Sequence, residues 1–369
     1  LIIFTFTLIL IIFLGLSFFI LINLSKDKPE AGIKMLHVSV VIPARNEEEN
    51  IEDLLNSLTK IDYPEKLSEF IIAVDRSYDR TLEIVKTFKN RIKNLKIINI
   101  TDKPSGVSGK SNALDIAVKN SSGRIILFTD ADCTLNPNWI NQMVLNISDN
   151  HTIAAGFLHT DKKEDKKFNT LFSKLQTIDW IRFCTAGKVF AEKYKPLSIF
   201  GNNFAVSKTL YDSAGGFKHT GTHPTEDYAF MKNAVNKKNA RVIFSLSRNS
   251  LVFTKPEPNL KSFFNQRLRW ALGTKNRDRI SLLLLSIPVV IFLASLFLLF
   301  TEFKAFGFAG FAALILSDLL LIIKPLKILK KLYLLKYLPV YEIYFICYIF
   351  LTSVLLLFKK NILWKKDVV

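Results

Sequence analysis

Residues 124–133 read R-I-I-L-F-T-D-A-D-C, an apolar run that stops at two aspartates, Asp130 and Asp132. The apolar residues between Arg124 and Thr129 are too few for a stable helix and predict a strand buried on both faces, as in parallel sheets. The two carboxylates then stand at the strand's C-terminal end, the edge where open α/β sheets bind ligands. Two carboxylates separated by one residue suit a hard divalent cation, Mg2+ or Mn2+, completed by phosphate oxygens and water. An Asp-x-Asp by itself reads more simply as a solvated strand end, so its meaning rests on its surroundings.

Upstream, residues 38–43 (V-S-V-V-I-P) predict a buried strand, followed by A-R-N-E-E-E-N and a helical stretch through Leu54, Leu55 and Leu58. Strands over 70–74 and 95–100 alternate with helices over about 79–90 and 110–119. Such alternation marks a mostly parallel α/β sheet with crossover helices. No G-x-G-x-x-G follows the first strand, which argues against a dinucleotide-binding site. Downstream, residues 168–190 carry Phe172, Leu175, Ile178, Trp180, Ile181 and Phe183 among polar groups. They predict an amphipathic helix, either packed on the sheet or lying at a membrane surface. Residues 259–273 form a second amphipathic segment.

The 369-residue chain has a net charge of +18 and 22% charged residues, yet its mean hydropathy is +0.23. That mixture points to a soluble domain flanked by membrane segments. Apolar runs over 1–24, 280–300, 305–323 and 337–358 are long enough to span a bilayer. With these present, the positive charge suits an anionic membrane surface; no basic stripe interleaved with aromatics indicates nucleic acid. Cys133, Cys184 and Cys347 are too scattered for a zinc site or disulfide framework. Lys324, Lys327, Lys330, Lys331 and Lys336 crowd the loop between the last two runs, which places that loop and the central domain in the cytoplasm. The tail, with Lys359, Lys360, Lys365 and Lys366, then falls outside. Asp318 lies within an apolar run, where its sequence neighbours Lys324 and Lys327 are the expected partners.

Three more constellations carry possible chemistry. Asp75, where the second strand stops in A-V-D-R-S-Y-D-R-T, can accept a hydrogen bond from a nucleobase imide or a ribose hydroxyl, while Asp79 reads as a helix cap. Thr225, Glu226 and Asp227 form T-E-D at a loop-to-helix junction, where acids also serve simply as first-turn residues. In Q-R-L-R-W (266–270), helical spacing puts Gln266, Arg269 and Trp270 on one face. They could offer an amide, a guanidinium fork and a ring to a diphosphate or sugar, or form a juxtamembrane anchor.

In this order, V-S-V-V-I-P-A-R-N-E-E, Asp75, G-K-S-N-A-L-D around Lys110, T-D-A-D, T-E-D and Q-R-L-R-W resemble the membrane-bound glycosyltransferases of family 2. The resemblance covers residues 38–273. It implies a GT-A fold: an α/β nucleotide-sugar-binding domain with a mostly parallel central sheet, flanked by one N-terminal and three C-terminal transmembrane helices. It further implies inverting transfer from a nucleoside-diphosphate sugar, UDP-linked, to a lipid or lipid-linked glycan in a bacterial or archaeal cell membrane, with Mg2+ or Mn2+ as cofactor. A processive polysaccharide synthase and a silent nucleotide-sugar-binding scaffold are the alternatives.

Carried over, Asp75 contacts the base, Lys110 faces the diphosphate, and Asp130 lies near the ribose or sugar. Asp132 ligates the metal, with Asp130 beside it. Asp227 is the general base and Glu226 helps position the acceptor. Gln266, Arg269 and Trp270 hold the diphosphate and the acceptor end. Residues 200–204 (F-G-N-N-F) and 215–217 (G-G-F) resemble the acceptor-side strand and turn. The expected organisation is a membrane helix (1–24), a linker (25–37), a catalytic domain (38–258), a juxtamembrane segment (259–279), three membrane helices (280–358) and a tail (359–369). One departure stands out against the pattern D-D-G-S-T-D-G-T. Val74 replaces an aspartate, and Arg76 and Arg80 replace glycines, leaving Asp75 as the sole strand-end acid.

Overall fold

The computed structural model describes residues 2–25, 27, 35–102, 106–273, 279–358, 363, 364, 367 and 368. Most of the expected linker (Lys26, Lys28, Pro29, Gly32) and the tail lysines Lys359, Lys360, Lys365 and Lys366 lie outside them. The chain forms two compact units. One comprises Lys26–Thr160 and Phe190–Lys255; the other comprises Leu1–Ser25, Asp161–Val189 and Pro256–Val368. Residues 161–189, expected within a continuous 38–258 domain, thus cluster with the apolar helices.

The N-terminal apolar run is helix α1 (Ile2–Asn23). The α/β unit follows with β1 (Val38–Ala44), α2 (Ile51–Leu58), β2 (Ser68–Asp75), α3 (Thr81–Thr87), β3 (Leu95–Ile100), α4 (Gly109–Lys119) and β4 (Ile125–Phe128). Next come β5 (Cys133–Thr134), α5 (Trp139–Leu145), β6 (Thr152–Gly156) and β7 (Leu158–His159). After α6 (Leu171–Lys193), the unit resumes with β8 (Phe204–Ser207), α7 (Lys208–Ser213), α8 (Glu226–Lys238), β9 (Arg241–Ser245) and β10 (Val252–Thr254).

Seven strands lie in the order β3-β2-β1-β4-β8-β6-β9. β3, β2, β1 and β4 are mutually parallel, and β8 runs antiparallel to both β4 and β6. Every residue of β2 and β4 is buried, as expected of parallel strands covered on both faces. Each fully buried Ile, Leu or Val there contributes ~1.5–3 kcal/mol. The edge strand β3 alternates more and exposes Lys96 and Asn99. The helix expected over 79–90 is shorter, Thr81–Thr87. Asp79 accepts from the Thr81 amide (3.1 Å) and hydroxyl (2.6 Å) and from the Glu48 amide (3.0 Å), so it ties the loops after β1 and β2 together.

At the opposite edge of the sheet, Glu69 pins three segments. It accepts from Ser39 Oγ (2.5 Å), Ser122 N (2.6 Å) and Lys96 Nζ (2.5 Å). Burial alone would raise its carboxyl, but the Lys96, Ser39 and Ser122 bonds outweigh that and hold it at about 2, below its ordinary 4.5. A depressed acid stabilises the fold fully above its unfolded value and loses that contribution as pH falls through the folded one. We expect Glu69→Gln to cost on the order of 2–3 kcal/mol near pH 7. Melting curves of variant and wild type should converge as pH falls towards 2.

The other unit is helical: α1, most of α6, α9 (Leu260–Gly273), α10 (Arg279–Leu298), α11 (Lys304–Ile328) and α12 (Leu338–Phe358). Phe6, Leu10 and Phe13 of α1 pack with Ile291 and Leu298 of α10 and Ala313 and Leu314 of α11. Among the described residues three helices are long and apolar enough to cross a membrane: Ile2–Asn23, Lys304–Ile328 and Leu332–Leu356. The fourth expected span corresponds to α10, whose described apolar part, Leu285–Leu298, is shorter.

Helix α6 does not present a one-sided apolar face. It buries Gln176, Thr177, Asp179, Arg182 and Thr185 along with its apolar residues, because each polar group meets a partner. Arg182 Nε donates to Asp318 Oδ1 of α11 at 2.7 Å. Asp318 is therefore paired with an arginine far away in sequence, and the expected lysines are not its partner there. Lys324 instead donates to the Leu24 carbonyl. Lys331 donates to Asp161 at 2.8 Å, so part of the lysine-rich loop's charge is held inside the unit.

Candidate active site

Strand β1 lies between β2 and β4, so the chain leaves β1 outward on one side and returns on the other. That reversal is a topological switch point, where the C-terminal strand ends part to leave a crevice. Asp75 closes β2, and Asp130 follows β4 by two residues. The antiparallel β8 starts at the same edge, with Phe204 opposite Phe128. Gly201, just ahead of β8, thereby comes to the site.

Asp75 is buried, and the Arg76 fork grips it: Nε to Oδ1 at 2.7 Å and Nη2 to Oδ2 at 2.9 Å. Arg76 holds a left-handed backbone, φ 47°, while its amide bonds the Ile100 carbonyl at 2.9 Å. Gly109, the first residue of α4, lies against this pair. A Cβ there would come within 2.6 Å of Asp75 Oδ2 and 2.5 Å of Arg76 Nη2, so any larger residue would have to shift this pair. Ser108 caps that helix by accepting from the Ser111 amide at 3.1 Å.

Lys110 follows in the first turn of α4 and reaches across the site. Its Nζ lies 2.9 Å from Asp130 Oδ1, 3.0 Å from Asp130 Oδ2 and 3.1 Å from Glu226 Oε1. Burial alone would lower its pKa, but Asp130, Glu226 and Asp227 together raise it, so the ammonium stays charged. The lysine thus links the strand-end acid with the T-E-D acid, a connection between residues 130 and 226 that neither stretch shows alone.

Glu226 and Asp227 open α8, where the helix dipole favours acids. Asp227 accepts from the Gly201 amide at 2.7 Å and from its neighbour Tyr228's amide at 2.8 Å. Gly201 matters sterically too, since a Cβ there would lie 3.2 Å from Asp227 Oδ2. Burial and the adjacent Glu226 push the Asp227 carboxyl up to about 6, against the pull of Lys110 and the two amides. A carboxylate so poised can take a proton from an alcohol as it attacks. His223 Nδ1 meets the Thr225 amide and braces the turn into α8, and burial lowers its pKa.

Asp132 is partly exposed and lies in the turn between β4 and β5. β5 pairs with β10, Cys133 opposite Thr254, which fixes the turn's exit. Among the described residues no three His, Cys, Asp or Glu side chains cluster as a metal cage. Two carboxylates at a strand end are the donor set of a cation that takes its other ligands from phosphate and water, so Mg2+ or Mn2+ fits and a closed zinc site does not.

The two stretches of the acceptor-side expectation are each held by a buried polar side chain. Asn203 is fully buried and bonds Trp139 Nε1 (2.9 Å) and the carbonyls of Phe157 (3.0 Å) and Ser250 (2.9 Å). Asp115, which sequence reasoning passed over, accepts from the Phe217 amide at 3.1 Å and from the Tyr211 hydroxyl. It fixes the turn in which Gly215 and Gly216 have φ of 88° and 59°. The last acid of G-K-S-N-A-L-D was its only signal.

Gln266, Arg269 and Trp270 lie on α9, in the helical unit. Gln266 Nε2 donates to Glu257 Oε1 at 2.8 Å, and Trp270 meets Trp180 edge-on at 5.0 Å. Between them Arg267, also unforeseen, is buried and donates to Asp179 Oδ2 at 2.6 Å. Its guanidinium lies 4.5 Å from the Phe263 ring centroid and 4.2 Å from that of Trp270.

Residues 39–214 match the family described as Glycosyl transferase family 2, a match that ends ahead of Glu226 and α9. The probable glycosyltransferase YdaM of Bacillus subtilis is 28% identical over 242 residues, 64% of this chain and 55% of that protein. Poly(ribitol-phosphate) beta-N-acetylglucosaminyltransferase TarS of Staphylococcus aureus is 35% identical over 118 residues, 32% of this chain and 20% of that protein. The chain therefore spans little more than half the length of one relative and a fifth of the other. In fold, the mannosyltransferase PcManGT from Pyrobaculum calidifontis, solved with GDP-Man and Mn2+, superposes with a TM-score of 0.59 at 16% identity, covering 97% of this chain and 99% of that one. Residues 39–214 are thus a glycosyl transferase family 2 domain with the GT-A fold.

Proposed function

We propose that the protein is a membrane-bound, inverting glycosyltransferase. It moves a sugar from a nucleoside-diphosphate sugar to a lipid or lipid-linked glycan of the cell envelope, with the α/β unit in the cytoplasm. The carrying observation is Lys110 holding Asp130 and Glu226 together beside Asp227, whose carboxyl is pushed up to about 6. In this reading Asp227 takes the acceptor hydroxyl's proton as that oxygen attacks the anomeric carbon, while Glu226 orients the acceptor. One acid serves because a single displacement inverts the centre, and no second nucleophile is required. Lys110 neutralises charge on the departing diphosphate. Asp132 and Asp130 are the residues that would hold Mg2+ or Mn2+. Such a cation, when bound, would share in neutralising that leaving group. Gln266, Arg269 and Trp270 are assigned to the diphosphate and acceptor end on the strength of their motif. The apolar helices favour an acceptor that itself sits in lipid.

The test uses the full chain in lipid with Mg2+ or Mn2+, a panel of nucleotide sugars led by UDP-sugars, and a lipid extract as acceptor. We expect release of nucleoside diphosphate and a lipid product heavier by one or a few sugars. A long polymer would assign the protein to the processive synthases. Binding without release, across donors and acceptors, would mark it as a silent scaffold.

A further inference from the structure

If the C-terminal sheet edge binds the donor as proposed above, the base-facing group at the end of β2 differs from the one the sequence suggests. Asp75, bare, would present acceptor oxygens suited to the imide N–H of uracil. In the structure both oxygens are in the Arg76 fork, with side chains only 4% and 16% exposed. Three features make this pairing part of the fold. Arg76 keeps a backbone that disfavours side chains, φ 47°. Its amide is fixed to the Ile100 carbonyl. Gly109 leaves the space that the fork fills.

From this geometry we propose that Arg76 is a nucleobase-specificity residue, closing the acceptor oxygens of Asp75 to the imide N–H of uracil. The guanidinium N–H groups already face both carboxylate oxygens. They oppose the central N–H of uracil, which can reach Asp75 only by displacing the fork.

The experiment measures UDP and GDP affinity with Mn2+ by isothermal titration on the full chain. Glycine relieves the strain of φ 47°, which offsets part of the cost of taking the fork from buried Asp75. A melting curve checks that Arg76→Gly is folded before affinities are compared, and Arg76→Asn, which also tolerates that backbone, is the second variant. By uncovering Asp75, Arg76→Gly should raise the UDP-to-GDP affinity ratio at least tenfold. Asp75→Asn in that background should bring the ratio back towards the wild-type value, which a merely structural role for Arg76 would not produce. An unchanged or lowered ratio in Arg76→Gly would overturn the proposal while leaving the donor site intact. Failure of wild type and variant to bind either nucleotide would overturn the donor site as well.

Discussion

Asp227→Asn should lower kcat by ~10²–10⁴-fold, the span a positioned general base contributes, with nucleotide affinity near wild type and a melting temperature lowered only modestly by the loss of one backbone hydrogen bond. The amide keeps the size but has one acceptor oxygen where Gly201 and Tyr228 bond separate oxygens of Asp227, so one of the two backbone bonds is given up along with the proton acceptor. The pH profile should carry the same signature. Because burial and Glu226 raise this carboxyl to about 6, the base is protonated below that pH and free above it. The rate of the wild-type enzyme should therefore rise as pH increases through about 6. Since Glu226 adjoins it, the observed midpoint belongs to the pair of acids. Loss of nucleotide binding in Asp227→Asn would instead place the residue with the donor.

Arg267→Met should destabilise the helical unit by about 3–5 kcal/mol, because it strands a fully buried carboxylate. Asp179 has three partners: Arg267 at 2.6 Å, Tyr348 at 2.8 Å and Tyr341 at 3.0 Å. The hydroxyls alone do not cancel its charge. Replacing both partners, Arg267→Met with Asp179→Leu, should recover a large part of the loss, since an apolar pair avoids the desolvation cost. Thermal unfolding in detergent distinguishes this from a surface arginine, whose removal would move the midpoint little.

The α/β order was legible because strands buried on both faces are short apolar runs, and 38–43, 70–74 and the apolar part of 124–133 are such runs. Asp75, Asp130, Glu226 and Asp227 were legible as acids where strands end or a helix begins. What joins them was not, since the Lys110 ammonium meets Asp130, 20 positions on, and Glu226, on a helix far downstream, through the fold alone. In the helical unit, sequence proximity misled. Asp318 pairs with Arg182, 136 positions away, because α6 carries its polar groups into the bundle where the nearby lysines do not reach. Arg267 was passed over for Arg269 for the same reason: its partner Asp179 stands 88 positions upstream. The Arg76 substitution was visible, but its fork on Asp75 depends on a left-handed backbone and on the space at Gly109, which residue types alone do not display.

The most direct measurement is the anomeric configuration of the first product, read by proton NMR after one turnover with an α-linked nucleotide sugar. A single displacement assisted by Asp227 predicts a β-linked product. An α-linked product would contradict the account, because one base at this site cannot retain configuration.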